Sequence, residues 1–230
     1  MGELTTKEFN VIYKKNFKEY FDKPLKKDGF YKKGTINFYR LNKLGFLEGL
    51  NFQRHYDRVT VNFFISLTCC QAVKDSIGIG GRLGNFTGIK WDYWWDLSDE
   101  ETIKVSMQKM LKIIQNELYE WFENLEEEKM IIKQNLNQKS CARIYVYISQ
   151  ATLMAKFKKY NEIIPYIKKV EEEYNSYPQE EKEWDWVKNI MEEALILKEK
   201  VKEGHKSIDE YIIWREKETL LELGLEKLLK

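Results

Sequence analysis

The sequence predicts an α+β chain: a four-stranded antiparallel sheet packed on two long helices, followed by a C-terminal helical bundle. Three observations predict it. Apolar residues recur at three- and four-residue steps over 5–22 and again over 98–125, the period of one helix face. Between those stretches the period falls to two, as in strands with one buried face. From residue 127 onward helical periodicity returns and no alternating segment interrupts it.

The first helix opens on Thr5 with Glu8 three positions on, a capping box. Its apolar face is Phe9, Ile12, Tyr13, Phe17, Tyr20 and Phe21. Gly29 accepts the left-handed conformation that closes a helix, so an end near Asp28-Gly29 is expected, or earlier at Pro24, which lacks an N–H. In the first strand Ile36, Phe38 and Arg40 alternate with Thr35, Asn37 and Tyr39. A second strand is expected from Leu47 to His55. The third sets Val59, Val61, Phe63, Ile65 and Leu67 against Thr60, Asn62, Phe64, Ser66 and Thr68. Glycines at 78, 80, 81, 84 and 88 then read as a flexible loop across the sheet, before a short strand in "KWDYWWDL". Ser98 with Glu101 predicts the cap of the second long helix, whose stripe runs from Ile103 through Ile114 to Leu125.

The seam is expected near 127–139, giving an α+β domain over 1–126 and a helical domain over 127–230. In the latter, one helix carries Ala142, Tyr145, Ile148, Ala151 and Ala155. A second carries Ile163, Ile167, Val170 and Tyr174, with Pro165 near its start, where a missing N–H costs little. Trp184 to Val201 forms a third, and Ser207 with Glu210 caps a fourth. The first two have a tetratricopeptide look, but there is one such unit, and an array needs at least three.

Composition narrows the classes of function. Residues 1–99 carry 16 Lys and Arg against 11 Asp and Glu, and residues 100–230 carry 22 against 26. Neither part has the strongly basic footprint of a dedicated nucleic-acid binder. The eight lysines between Lys14 and Lys33 read as solvated helix and strand surface, with weak, non-specific anion contact as the other reading. Three cysteines make no disulfide framework, and no apolar run is long enough to span a bilayer. A soluble, cytoplasmic chain with reduced thiols is expected.

Chemistry-bearing motifs are sparse. "GIGGRLG" lacks the Gly-x-Gly-x-x-Gly spacing and the following helix of a dinucleotide site, and there is no Walker A sequence. His55 and His205 are isolated, Cys69-Cys70 is too tight for zinc spacing, and Cys141 stands alone. No cofactor, metal or catalytic residue is therefore assigned. What stands out is the tryptophan cluster: alternation puts Trp91, Tyr93 and Trp95 on one face and Trp94 on the other. One of those faces, if exposed, would suit a partner anchor. The other reading is that core covers both.

The order "PLKKDGFYKKGTINFYR", "LNFQR", "VTVNFFI", "RLG" and "WW" resembles the bacterial domain of unknown function 4304, over roughly residues 5–125. The matching positions are Leu25, Gly29, Phe30, Phe52, Gln53, Arg82, Gly84, Trp94 and Trp95. The resemblance implies no activity.

The candidate ligand- or partner-binding residues are Gln53, Arg54, Arg82, Trp91, Trp94 and Trp95; the sheet face away from the helices is the expected working surface, flanked by Gln53, Arg54, Arg82 and the tryptophan loop. The expected function is a binding or adaptor module for a protein partner, a toxin-neutralising immunity protein being one version. A hydrolase or transferase with a site in the sheet cleft is the alternative, and a weak nucleic-acid binder the third.

Overall fold

The computed structural model describes residues 5–71, 78–88, 93–139 and 142–229. The chain forms two compact units. One comprises residues 1–41, 48–65 and 80–124; the other comprises 42–47, 66–79 and 125–230. The second unit thus draws on both sides of residue 126.

In the first unit, α1 (Thr6–Phe17) starts with the reciprocal Thr5–Glu8 cap. It continues through a π-helical turn, Lys18–Asp22, into α2 (Lys23–Lys27). The chain therefore passes Pro24 without ending. A proline cannot donate to the fourth residue back and crowds that carbonyl; the wider π turn just before it relieves both problems. Gly29, at φ +88°, then closes the helix. Phe30 N–H donates to Leu25 O at 2.9 Å and Gly29 N–H to Lys26 O at 3.2 Å, a Schellman closure.

The sheet has six strands among the described residues, in the order β1 (Tyr31–Lys33), β2 (Asn37–Leu41), β3 (Leu47–His55), β4 (Arg58–Ser66), β5 (Ile79–Arg82). The sixth, β6 (Trp95–Asp96), pairs antiparallel with β4 through Val59 and Trp95. Since β3 occupies one edge of β4, β5 and β6 share the other. The two strands beyond the expected four are β1, a short edge strand in antiparallel register with β2, and β5. The glycine stretch expected as a flexible loop contributes β5 and a 3-10 turn, Leu83–Thr87. Gly80 shows why: a Cβ there would lie 2.1 Å from Phe63 O, so only glycine lets β5 come that close to β4.

One face of this sheet is core. Phe38, Phe52, Val59, Val61 and Phe63 are all buried on it. Phe52 meets Phe17 edge-on at 5.0 Å and Phe21 at 4.4 Å, tying β3 to the first helix. The second helix is α3 (Glu100–Ile113), a π turn at Ile114–Leu118, and α4 (Tyr119–Asn124). Its cap is Asp99 with Thr102, one residue later than the expected Ser98 with Glu101. Ser98 is engaged by Asp96 instead, its N–H donating to that carboxylate at 2.9 Å. Arg40, at the end of β2, donates to the buried Glu48 at 2.5 Å and to Asp28 O at 3.1 Å. Its guanidinium lies 4.5 Å from the Phe30 ring and 4.7 Å from that of Tyr119. This joins the first helix end, the sheet and α4.

The second unit is built on α5 (Glu128–Leu136), α6 (Arg143–Lys156), α7 (Tyr160–Ser176), the short α8 (Gln179–Lys182), α9 (Asp185–Glu203) and α10 (His205–Glu222). α6 packs on α5, α7, α9 and α10 and is buried on nearly every side, as its small residues Ala151 and Ala155 permit. Pro165 lies inside α7, past the first turn, so one ladder bond is missing there. α10 starts at His205, with Gly204 before it. Ser207 lies inside the first turn, donating to Glu203, and is not the expected cap.

Segments 42–47 and 66–71 are held by this bundle. The Phe46 ring lies 6.3 Å from Phe157 and under the Lys156 ammonium at 5.3 Å. Lys156 is itself paired with Glu216. The buried Glu193 accepts from Gln71 N–H at 2.8 Å and from the Cys70 thiol at 3.5 Å. Arg215, only 2% exposed, donates to the Gln71 side chain at 3.2 Å and lies 3.0 Å from the Glu222 carboxylate.

Candidate binding face

The sheet face turned away from the first unit's helices gathers the outward positions of β2, β3 and β4. Period-two alternation selects them: Asn37 and Tyr39, then Gly49, Asn51, Gln53 and His55, then Thr60, Asn62 and Phe64. The asparagines form a row across three strands. Asn51 Nδ2 donates to Asn37 Oδ1 at 2.7 Å, and Asn62 Nδ2 donates to Asn51 Oδ1 at 3.1 Å and to Gln53 Oε1 at 3.5 Å. Each amide has two donor hydrogens and a two-lone-pair acceptor, so a row fixed by lateral bonds presents both kinds of group.

Aromatic groups flank the row at both ends. On one side the Phe64 ring lies across Gly49, where an added Cβ would come within 2.2 Å of its Cζ. Tyr39 meets Phe64 edge-on at 6.3 Å, and burial pushes its hydroxyl above the ordinary tyrosine pKa. On the other side Trp94 lies under the Arg82 guanidinium at 5.5 Å and meets the His55 ring at 6.3 Å. The Thr60 hydroxyl donates to Tyr93 O at 3.2 Å, which seats the tryptophan segment against β4.

The structure brings Gln53, Arg82 and Trp94 to this face. Arg54 goes to the opposite one. It is adjacent to Gln53 in a strand, and alternation turns it toward α1, where it donates to Asn10 at 3.1 Å and lies about 5 Å from the Phe9 and Tyr13 rings. Trp95 is a core residue, 2% exposed, because its partner Val59 points into the core. Trp91 lies outside the described residues. Asn37, Tyr39, Asn51, His55, Asn62 and Phe64 belong to the face although the tryptophan signal does not point to them. Their outward strand positions were the available clue.

Other groups are accounted for locally. Lys23 pairs with Glu19 at 2.5 Å, and Lys32 pairs with Asp22 at 2.7 Å while its ammonium lies 5.0 Å from the Phe17 ring. Part of the lysine-rich stretch is therefore engaged within its own unit. Burial, then the charge of Glu216, pushes the Cys69 thiol up to about 12. Burial, then Glu193, raises Cys70 well above the ordinary range, so neither supplies a thiolate at neutral pH. Among the described residues no three His, Cys, Asp or Glu side chains gather as metal ligands, and no helix is long and apolar enough to cross a membrane.

The two adjacent tryptophans should separate in a stability measurement. Trp95→Ala empties a core site and is expected to cost about 3–5 kcal/mol. Trp94→Ala removes a half-exposed ring and is expected to cost about 1 kcal/mol. Urea unfolding of both variants checks this, and equal, severe losses would make Trp94 a core residue too.

Fold and face define a mixed α+β sheet module, helices covering one side and an amide row with aromatic flanks on the other. Residues 21–124 match the family described as Domain of unknown function (DUF4304), in support of the resemblance read from the sequence. No curated protein and no solved structure matches the chain significantly. Of the nine positions carrying the resemblance, six serve the fold. Leu25, Phe30, Phe52 and Trp95 are core, Gly29 closes the first helix, and Gly84 admits Tyr93, whose Cβ would lie 2.7 Å from an added one. The other three, Gln53, Arg82 and Trp94, lie on the second face.

Proposed function

We propose that this chain is a cytoplasmic binding or adaptor module that recognises a protein partner through the second face of its sheet. A toxin-neutralising immunity protein is the specific form this reading takes. One observation carries it. The family-pattern residues that the fold does not require, Gln53, Arg82 and Trp94, lie on a face shared with the Asn37–Asn51–Asn62 row. Such a face offers what protein recognition uses: an aromatic anchor beside a guanidinium, and amides able to pair with a partner's backbone or side chains. The buried thiols of Cys69 and Cys70 are free, in keeping with a reducing compartment.

The test is calorimetric titration of the full chain with the proteins encoded by its neighbouring genes. Trp94→Ala and Arg82→Ala are each expected to weaken the complex by about 2 kcal/mol, roughly 30-fold, while unfolding stays near the parent's. Undiminished binding by both variants would move the interface elsewhere. Turnover of a small substrate lost in the same variants would support the hydrolase or transferase reading instead.

A further inference from the structure

The outer side of α10 carries three exposed apolar side chains. Ile213 is 68% exposed, Trp214 51% and Leu221 43%. At 100° per residue, Lys206, Glu210, Ile213, Trp214, Lys217 and Leu221 fall within one arc of about 100°, a stripe running the length of the helix. Beside Trp214 a groove of about 380 Å³, with Ile196 and Tyr211 in its wall, extends the apolar surface toward α9. Burying a stripe of this width against another helix is the ordinary way such a face is satisfied.

The order of charges along the stripe selects the occupant. The apolar pair Ile213-Trp214 is central, with Glu210 three residues before it and Lys217 three after. If a second α10 lies antiparallel across this point, Ile213 of each copy meets Trp214 of the other. Glu210 of each then faces Lys217 of the other, so the ion pair forms twice about a two-fold axis. A parallel arrangement would set Glu210 against Glu210 and Lys217 against Lys217, which is repulsive. Among the described residues, Glu210 has an exposed contact with Lys206 at 3.7 Å, worth little by itself. We infer that α10 is a homodimerisation helix, pairing antiparallel with α10 of a second copy of this chain about the Ile213-Trp214 step.

One helix of 18 residues is about 27 Å long. Its seam is smaller than the roughly 800 Å² per partner of a standard interface, so a dimer in the micromolar range is expected. Sedimentation equilibrium of the full chain tests it. The parent should associate reversibly with concentration. Lys217→Glu and Glu210→Lys should each weaken the dimer about tenfold or more, since each reversal creates two like-charge contacts. The combined reversal, Glu210→Lys with Lys217→Glu, should restore association to near the parent's. Both positions of the test, Glu210 and Lys217, are exposed, so thermal unfolding of a monomer should change little; it is followed in parallel to exclude misfolding. A parent that stays monomeric at high micromolar concentration would overturn the inference. So would a dimer indifferent to the single reversals, or a double reversal as weak as either single one.

Discussion

Gly80→Ala is expected to cost about 3 kcal/mol or more and to separate β5 from β4. The added methyl would lie 2.1 Å from Phe63 O and 2.7 Å from Phe64 Cα, and both obstacles are backbone of a central strand. Overpacking typically costs about 1–3 kcal/mol when side chains can adjust. Here relief requires moving a strand, and the ladder bonds between β4 and β5 would go with it. Gly49→Ala provides the contrast. Its obstacle is the Phe64 ring, with Cζ at 2.2 Å, and a ring can swing away. Its cost should therefore be smaller, and Phe64→Ala should recover most of it, whereas no single side-chain change should recover Gly80→Ala. Chemical unfolding of these variants, singly and in pairs, measures the difference. A Gly80→Ala chain as stable as the parent would mean that β5 does not approach β4 in this way.

A chain ended after residue 126 is expected to lose cooperative folding. Segments 42–47 and 66–79 belong to the helical unit, and Phe46, Leu47, Leu67, Cys69 and Cys70 within them are each at most 3% exposed. Removing α5 to α10 takes away Phe157 and Lys156 beside Phe46, Glu193 beside Cys70 and Gln71, and Arg215 beside Gln71. Five side chains returned to water at roughly 1.5–3 kcal/mol each amount to about 10 kcal/mol, the scale of a whole domain's stability. Circular dichroism during heating should show a broad, shallow change for the fragment and a sharp transition for the full chain. A sharp transition from residues 1–126 alone would show that those segments need no support from the bundle.

The sequence was most legible where one periodicity ran unopposed. Thr5 with Glu8 marked the start of α1, Leu47 to His55 came out as β3, and the alternation from Val59 came out as β4, which starts one residue earlier and ends at Ser66, two residues short of Thr68. It was least legible where two local signals competed. Pro24 looked like a terminator, but a π turn absorbed it. Asp99 displaced Ser98 as a cap because Asp96 holds Ser98. The glycines of "GIGGRLG" looked like freedom, yet at Gly80 they provide closeness, and the two uses are identical on paper.

The binding face divides in the same way. Alternation within a strand is local, so the sequence by itself determined that Trp94 and Trp95 point to opposite sides and that Asn51 and Gln53 share one. It also determined the fold class, since helical and strand periods occupy separate stretches. Which side of a strand meets helices is not local. That depends on partners tens of residues away, and only the tertiary structure turned Arg54 toward Phe9 and Tyr13, sent Trp95 into the core opposite Val59, and brought Arg82 over Trp94. The Asn37–Asn51–Asn62 row is likewise a product of register between strands, and the burial of Glu193 and Arg215 follows from how Gln71 is held by α9 and α10. Periodicity records the environment of each residue in turn; register and packing are set by residues far apart in the chain, and those the tertiary structure alone decides.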